Sequence, residues 1–270
     1  MTHTNVASRH TPALGLALFA LAVGIPTGAV AQFGTGSPVD ATEQQQDGPA
    51  PPRDLTGVWA RIRPEGAFYS NATWTEAPPE LTEYGQELYS QSRDSNAGGY
   101  SLAETNDPVL TRCYPPGTPR VYFHPYPFEI TYTEREMLML YEYDHIVRRV
   151  YMDGRDHPED PVALWQGHSI GEWRDDTTFV VDTIAIDERT WMDRAGYRHS
   201  DDFHVTEVFH RVDRRTLQID ITMEDPKVLA KPWVAETLYY RLAPPNWELS
   251  EISCSGDYLD FSSFEEFLEN

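Results

Sequence analysis

The sequence lacks any apolar run long enough to cross a membrane comfortably, since a spanning helix needs about 20 consecutive apolar residues. One shorter run, Ala13–Ile25, follows the basic residue Arg9 and precedes a small-x-small motif at 29–31. This order is typical of a secretory signal peptide. We therefore predict a signal peptide over residues 1–31, no membrane span, and a mature chain exported to the periplasm or outside the cell.

Cysteine is also scarce, with only Cys113 and Cys254 in 270 residues. There is no C-x-x-C pair, which excludes a thioredoxin-like redox motif and a cysteine-based zinc motif. Two cysteines in an exported chain pair most simply with each other. We predict one disulfide that joins the N-terminal part of the domain to its C-terminal strand. Two free thiols are the alternative.

Positive charge is in short supply, because 21 Lys and Arg residues face 43 Asp and Glu residues and give a formal net charge of -22. Such a chain repels phosphate backbones and anionic membrane surfaces. We predict no nucleic-acid partner and interpret the acidity as a source of solubility. Phosphate loops, nucleotide fingerprints, EF-hand loops and Gly-x-Ser-x-Gly elbows are absent as well, so no cofactor is predicted.

What the sequence does contain is period-two hydrophobic alternation between short turn signals, which is typical of antiparallel strands. The predicted strands are Leu55–Ile62, Phe128–Thr133, Met137–Tyr151, Ala163–Trp173, Thr178–Ile186, Phe203–Val212, Leu217–Met223, Trp233–Leu242 and Leu249–Cys254. One short helix is predicted within Pro79–Ser92, where Leu81, Tyr84 and Leu88 are spaced three and four apart. The fold class is therefore all-β.

Eight or nine sequential strands with short connections favour an antiparallel up-and-down barrel, whose closure removes exposed strand edges. A β-sandwich is the alternative. Residues 32–53 are rich in Gly, Pro and Gln without periodicity and are predicted to be a disordered linker. The barrel is predicted as a single domain over 54–270, with a long insertion between the first strand and Pro127. The sequence does not indicate an oligomeric state.

The first predicted strand contains Gly57-Val58-Trp59, which resembles the Gly-x-Trp signature of lipocalins and the wider calycins. In those proteins the Trp closes one end of the barrel, and a calycin-like barrel is what the resemblance implies here. The chain also looks like exported bacterial hypothetical proteins with segments such as Tyr143-Asp144-His145 and Lys231-Pro232-Trp233. That second resemblance implies no activity.

The segment Trp191–Arg211 combines a charged loop with an alternating strand. One face of the strand carries Phe203, Val205, Glu207, Phe209 and Arg211, and the other carries His204, Thr206, Val208 and His210. Whichever face points inward, an ionisable side chain enters the interior. A buried carboxylate needs a partner or a raised pKa, since burial of an isolated charge is costly.

Two readings of this strand follow. In the first, Glu207 acts with His145, His168 or His204 in acid–base catalysis, and Asp182 orients a histidine. In the second, the same residues form a buried polar network that fixes strand register, with Arg148, Arg149 or Arg211 neutralising Asp144 and Glu207. Metal binding is not predicted, because His204 and Glu207 point to opposite faces of a regular strand.

Aromatic residues are abundant, with 7 Trp, 15 Tyr and 11 Phe. A barrel of about eight strands is just wide enough to hold one small ligand. We predict a small hydrophobic or aromatic ligand bound inside the barrel, through stacking and burial. The candidate ligand-binding residues are Tyr143, Trp165, Trp191, His199, Phe209 and Tyr239. The alternatives are a cofactor-free acid–base enzyme on the same barrel, such as a lyase, isomerase, cyclase or hydrolase, and a structural envelope protein with a filled barrel.

Overall fold

The computed structural model describes residues 47–254, which lie within one compact unit. Strands dominate, and the predicted all-β fold class is confirmed. The strands are β1 Gly57–Ile62, β2 Phe128–Tyr132, β3 Glu136–Tyr141, β4 Val147–Tyr151, β5 His168–Trp173, β6 Thr178–Ile184, β7 His204–Arg211, β8 Thr216–Glu224, β9 Trp233–Val234 and β10 Leu238–Leu242. The helices are α1 Glu83–Ser90, α2 Pro108–Arg112 and a 3-10 helix, Arg120–Phe123.

Nine strands close into a barrel in which neighbours along the chain are neighbours in space. The order is β10-β1-β2-β3-β4-β5-β6-β7-β8, and β10 pairs with β8 to complete the ring, while the short β9 attaches to β8. All pairings are antiparallel except β4 with β5, which is parallel. Strand direction must return to its starting sense around a closed ring, so an odd number of strands requires at least one parallel pair.

The parallel pair forces a long connection. Parallel neighbours need a crossover of about a dozen residues or more, because the chain must return to the same end of the sheet. Residues 152–167 provide it between β4 and β5. This crossover brings His157 to the outer face of the barrel, against β6.

The alternation of the strands decides which side chains fill the barrel. Burial alternates along the whole of β7 and β8, so that one row of each points inward. The inward side chains with no accessible surface include Trp59, Ile130, Met137, Met139, Val150, Phe179, Val181, Val205, Phe209, Leu217, Ile219, Ile221 and Met223. Burial of each large apolar side chain stabilises the fold by about 1.5–3 kcal/mol.

Trp59 lies in this core at the start of β1. Its indole Nε1 donates a hydrogen bond to the Leu55 carbonyl oxygen at 2.8 Å. The Arg211 guanidinium lies 5.2 Å from the centre of its ring. The closed barrel is consistent with the calycin-like expectation raised by the Gly57-Val58-Trp59 segment.

Four strand predictions are wrong in detail. The predicted strand Ala163–Trp173 begins only at His168, because residues 163–167 belong to the crossover. The predicted strand Met137–Tyr151 is a hairpin, because Asp144 and His145 adopt positive φ angles of 55° and 50° and reverse the chain. The predicted strand Trp233–Leu242 is interrupted into β9 and β10. No strand forms within 249–254, where Ile252 makes only an isolated bridge to Tyr143.

The insertion between β1 and β2 packs against the barrel and sends side chains into it. α1 confirms the predicted short helix, and the Thr82 hydroxyl caps it by accepting from the Gly85 N–H. α2 was not predicted, although Asp107 at its N-cap and Pro108 in its first turn are ordinary start signals. The 3-10 helix buries Tyr122 and Phe123 almost completely in the core.

A disulfide between Cys113 and Cys254 is present, as predicted. It joins the end of α2 to a segment beyond β10 rather than to a strand. The predicted signal peptide and residues 32–46 of the predicted linker lie outside the described residues, as do residues 255–270. From Gly48 onward the chain already contacts the barrel, since the Gly48 carbonyl oxygen accepts from the Arg214 N–H at 2.9 Å. Between 47 and 254 no helix is long and apolar enough to cross a membrane.

Candidate functional site

Glu207 points into the barrel, in the inward row that includes Val205 and Phe209. Its carboxylate pairs with the Arg148 guanidinium of β4, through Nη1 to Oε1 at 2.8 Å and through a second, shorter Nη2 contact to Oε2. The Tyr122 hydroxyl donates to the same Oε1 at 2.6 Å. Arg148 also donates to the Thr183 and Ser169 hydroxyls. A single polar network therefore joins four strands and the 3-10 helix.

Burial dominates the electrostatics of this network. Desolvation, reinforced by the Glu207 carboxylate, holds the pKa of Tyr122 well above its ordinary value. Desolvation works against the charge of Arg148, but the ion pair with Glu207 outweighs it and raises the pKa of that guanidinium. Glu207 and Arg148 therefore form a buried ion pair whose polar atoms all have hydrogen-bond partners. This is the arrangement expected of a buried polar network that fixes strand register.

The barrel interior is packed around this network. Glu207, Ser169, Thr183 and Phe209 have no surface accessible to a water-sized probe. Side chains that lined a ligand-sized cavity would keep such surface, because the probe would fit inside the cavity. The interior therefore gives no support to a ligand beside Glu207, and the predicted bound molecule stays a prediction.

The structure does not bring Glu207 together with the three histidines proposed as its partners. His204 is an odd number of residues away on β7 and points outward. His168 begins β5 and lies with Asp182 and His204 on the outer face. His145 is exposed at the β3–β4 turn. The alternation of strand faces is the physical reason for this separation.

Outside the barrel, four side chains form a continuous hydrogen-bonded chain that we name the histidine array: His168, His157, Asp182 and His204. The two oxygens of the Asp182 carboxylate are each hydrogen-bonded to one imidazole. Oδ2 lies 2.8 Å from His204 Nε2, and Oδ1 lies 2.8 Å from His157 Nε2. The Nδ1 atoms of His157 and His168 are 2.8 Å apart. Glu224 of β8 approaches the other end, with its Oε2 3.6 Å from His204 Nδ1.

Strand register explains how the array assembles. Ile170 of β5 is opposite Asp182 of β6, and Asp182 is opposite Thr206 of β7. His168 and His204 are therefore diagonal neighbours of the carboxylate on the same outer face. His157 arrives from the crossover, with 17% of its side chain exposed against 38% for Asp182.

The members of the array have pKa values displaced in opposite directions. The hydrogen bond and charge of Asp182 raise the pKa of His204 despite partial burial. Burial, followed by the nearby His157 and Arg155, lowers the pKa of His168. Desolvation works against the Asp182 carboxylate, but its hydrogen bonds from His204 and His157 outweigh it and lower its pKa. Neighbouring titratable side chains whose pKa values are shifted apart are the usual basis for assigning an acid and a base.

The geometry can move a proton away from His168. With Asp182 ionised, His157 Nε2–H donates to it and a neutral His157 accepts at Nδ1 from His168 Nδ1–H. The lone pair of His168 is then on Nε2. A proton taken up at Nε2 allows the Nδ1 proton to pass to His157, which places the positive charge beside the Asp182 carboxylate.

The predicted ligand-binding residues are distributed over three regions. Phe209 is in the packed core, and Tyr239 is on the less buried row of β10. The other four lie in loops: Tyr143 stacks on the His124 ring with centroids 3.9 Å apart, Trp165 lies under the Arg189 guanidinium at 4.3 Å, Trp191 lies under Arg120 at 5.3 Å, and His199 hydrogen-bonds to the Thr190 hydroxyl at 2.8 Å. They do not form one cluster through these contacts.

Sequence reasoning missed His157, which links the two halves of the array. It lies in an irregular loop, where neither strand period nor motif spacing gives a signal. Among residues 47–254, no group of three or more His, Cys, Asp or Glu side chains is arranged to hold a metal ion. We therefore describe the array as a hydrogen-bonded chain of side chains.

The barrel and the array define a closed, mostly antiparallel β-barrel protein with a histidine–aspartate cluster on its outer face. No protein-family model, curated protein or solved structure matches the chain.

Proposed function

We propose that this protein is an exported barrel that performs cofactor-free acid–base chemistry on a small molecule at the histidine array. The observation that supports this proposal is the Asp182 carboxylate with one imidazole on each oxygen, continued from His157 to His168. His168 is the general base, and His204, with its raised pKa, is the general acid. Reactions of this kind include those of isomerases and lyases. Export to the periplasm is part of the proposal and accords with the disulfide.

Partial exposure supports a reactive role over a purely structural one. His204 and Asp182 have 33% and 38% of their side chains exposed, so a substrate can approach them. The ion pair of the barrel interior, in contrast, is completely enclosed. The ligand class expected from the sequence is a small hydrophobic or aromatic molecule. Beside His168 such a molecule would contact Ile170 and the ring of Tyr151. The ring centroids of Tyr151 and His168 are 5.2 Å apart.

Proton exchange at carbon tests the proposal even while the complete reaction is unidentified. The natively purified protein would first be analysed by mass spectrometry for retained small molecules. These compounds, together with a panel of small carbonyl compounds, would then be incubated with it in D₂O, and deuterium uptake at carbon would be followed by NMR. We expect uptake with the wild-type protein and a loss of at least about a hundredfold in His168→Asn, the usual scale of general base catalysis.

His210→Asn is the matched control, since His210 lies on the same outer face of β7 and its nearest polar partner is Thr178, outside the array. Its exchange rate should equal that of the wild-type protein. Equal rates in His168→Asn and the wild-type protein would overturn the proposal. So would the absence of both a retained molecule and any exchange across the panel.

A further inference from the structure

The middle of the crossover between β4 and β5 is attached to the barrel wall through one side chain. We name residues 153–163 of this crossover the strap. Its residues are exposed except for His157 and Pro161. Within 47–254, the hydrogen bonds from the strap to the barrel strands are made by His157 alone, to Asp182 of β6 and His168 of β5. His157 is therefore the polar anchor of the strap.

The crossover is fixed by backbone hydrogen bonds only at its two ends. Before the strap, the Met152 N–H donates to the Arg135 carbonyl oxygen at 2.7 Å. After it, the Leu164 N–H donates to the Ala185 carbonyl oxygen at 3.0 Å. Loss of the His157 contacts would therefore free the strap without breaking a strand pairing.

The contact between His157 and His168 accommodates one proton and not two. Their Nδ1 atoms are 2.8 Å apart, which is hydrogen-bond distance. One nitrogen must then donate and the other must accept. A protonated imidazole cannot accept, because both of its nitrogens carry hydrogen. When both rings are protonated, two cations point N–H groups at each other, and the contact becomes repulsive.

His157 is the ring that can leave. His168 belongs to β5, whose backbone pairs with β4 and β6, whereas His157 is carried by the exposed strap. Burial, followed by the nearby His157 and Arg155, lowers the pKa of His168, in agreement with a closed contact that resists the second proton. The first proton is tolerated, because it places the positive charge of His157 beside the Asp182 carboxylate and leaves His168 as the donor.

The other charged groups around the contact keep their charge where the two histidines titrate. They are Arg149 and Tyr151 of β4, Asp182 of β6, His204 of β7, Glu224 of β8 and, on the strap itself, Asp153, Arg155, Asp156, Glu159 and Asp160. Carboxylates ordinarily titrate near pH ~4, phenols near ~10 and guanidinium groups above ~12. Desolvation works against the Asp182 carboxylate, but its hydrogen bonds lower its pKa, and Asp182 in turn raises the pKa of His204. Mild acid therefore acts here through His157 and His168.

We propose that acid releases the strap from the histidine array, because a single shared proton between His157 and His168 holds it closed and a second proton drives the two rings apart. Release separates His157 from His168 and leaves the barrel strands intact. The closed contact excludes the second proton, whereas a released histidine takes it up near its ordinary pKa of 6.5. The ratio of released to closed strap should therefore rise by up to about tenfold for each pH unit below 6.5.

NMR of the full-length nitrogen-15-labelled protein, recorded from about pH 8 to about pH 5, follows the contact and the strap separately over the range in which histidines titrate. The scalar coupling between the two Nδ1 atoms across the hydrogen bond reports the contact. Backbone nitrogen relaxation of residues 153–163 reports the motion of the strap. In the wild-type protein we expect the coupling to disappear and the strap to become mobile as the pH falls, while the amides of β7 keep their relaxation rates.

Three variants separate the shared proton from a general effect of acid. In His168→Asn, the amide can donate to a neutral His157 and, once turned over, accept from a protonated one, so the strap should stay closed over the whole range. His157→Ala should leave the strap released at every pH. His210→Asn is the matched control, since His210 contacts Thr178 outside the array, and it should behave as the wild-type protein does.

The proposal is overturned if the relaxation of the wild-type strap is the same at both ends of the pH range. A coupling that disappears while the strap stays in place would also overturn it, because the His168 ring would then have rotated alone. Release in His168→Asn with the wild-type pH dependence would have the same consequence. None of these measurements depends on proton exchange at carbon, so the strap and the proposed chemistry can fail independently.

Discussion

Glu207 and Arg148 form an ion pair whose two side chains have no accessible surface. Removal of one partner from such a pair leaves the other charged, buried and unmatched. Glu207→Gln keeps the shape and removes the charge, so we expect it to lower the free energy of unfolding by about 3–5 kcal/mol. Urea denaturation monitored by tryptophan fluorescence measures the change.

Glu136→Gln is the matched control, because Glu136 pairs with Arg149, whose side chain is 59% exposed. Exposed pairs contribute about 1 kcal/mol or less. A similar loss in both variants would contradict the view that Glu207 serves the stability of the barrel interior. Proton exchange activity in folded Glu207→Gln should be retained, since Glu207 and the histidine array are on opposite faces of the barrel wall.

Asp182 connects the charge states of two histidines to stability. Because the folded pKa of His204 is raised, its contribution to the free energy of unfolding is fully present below its ordinary pKa of 6.5 and is lost as the pH rises through the raised value. The lowered pKa of Asp182 acts in the other sense. Its contribution is present above 3.8 and is lost as the pH falls through the lowered value.

Asp182→Asn should therefore reduce the dependence of the free energy of unfolding on pH, both at low pH and above 6.5. It should also return the pKa of His204 toward 6.5. Imidazole NMR titration and urea denaturation across the pH range measure the two effects. Asp220→Asn is the control on the outer face of β8, where the Asp220 carboxylate accepts from the Thr237 hydroxyl and makes no hydrogen bond to a histidine within 47–254. An unchanged His204 pKa in Asp182→Asn would show that the carboxylate does not hold the imidazolium.

At the scale of elements, the crossover 152–167 decides whether the array can form. Gly167 ends it directly before His168, with φ at +70°, and an added Cβ would lie 2.7 Å from the Ile184 carbonyl oxygen. Gly167→Ala combines left-handed strain of about 1–2 kcal/mol with overpacking of about 1–3 kcal/mol. We expect Gly167→Ala to lower the free energy of unfolding by the sum of the strain and the overpacking, as measured by thermal or urea unfolding. The NMR signals of His168 should change as well.

Gly154→Ala separates the two contributions. Gly154 lies in the same crossover with φ at +78°, and a methyl group added there would meet no other atom within 4 Å. Its substitution should cost only the left-handed strain. Equal losses in the two variants would show that the close approach of Gly167 to β6 is unimportant.

Local sequence explains the strands and their limits. The alternation in β7 and β8 predicted both strands, and the structure decided that the Glu207 row of β7 is the one that points inward. It did not predict the break of Met137–Tyr151 at Asp144 and His145, because the surrounding residues favour a continuous strand and the reversal depends on two positive φ angles. The proline-rich segment before the 3-10 helix gave no indication that Tyr122 would enter the barrel.

At the scale of the whole molecule, the Cys113–Cys254 disulfide joins residues 141 positions apart. In the chain-entropy model, closing a loop of this length contributes about 4–5 kcal/mol to stability. The double variant Cys113→Ser/Cys254→Ser should unfold at correspondingly lower urea concentration, with an unchanged His204 pKa. Mass spectrometry after alkylation of the unreduced protein provides the check, and two alkylated cysteines would contradict the disulfide.

The sequence by itself determined the all-β class and the two alternating faces of the Glu207 strand, because both follow from local periodicity; it favoured a disulfide between the only two cysteines. The tertiary structure alone decided the partner of Glu207, the parallel β4–β5 pair and the arrival of His157 at Asp182. These depend on ring closure and on contacts between distant residues. Side-chain alternation is fixed by backbone geometry within a few residues, whereas strand order and the path of a crossover are fixed only by packing of the whole barrel.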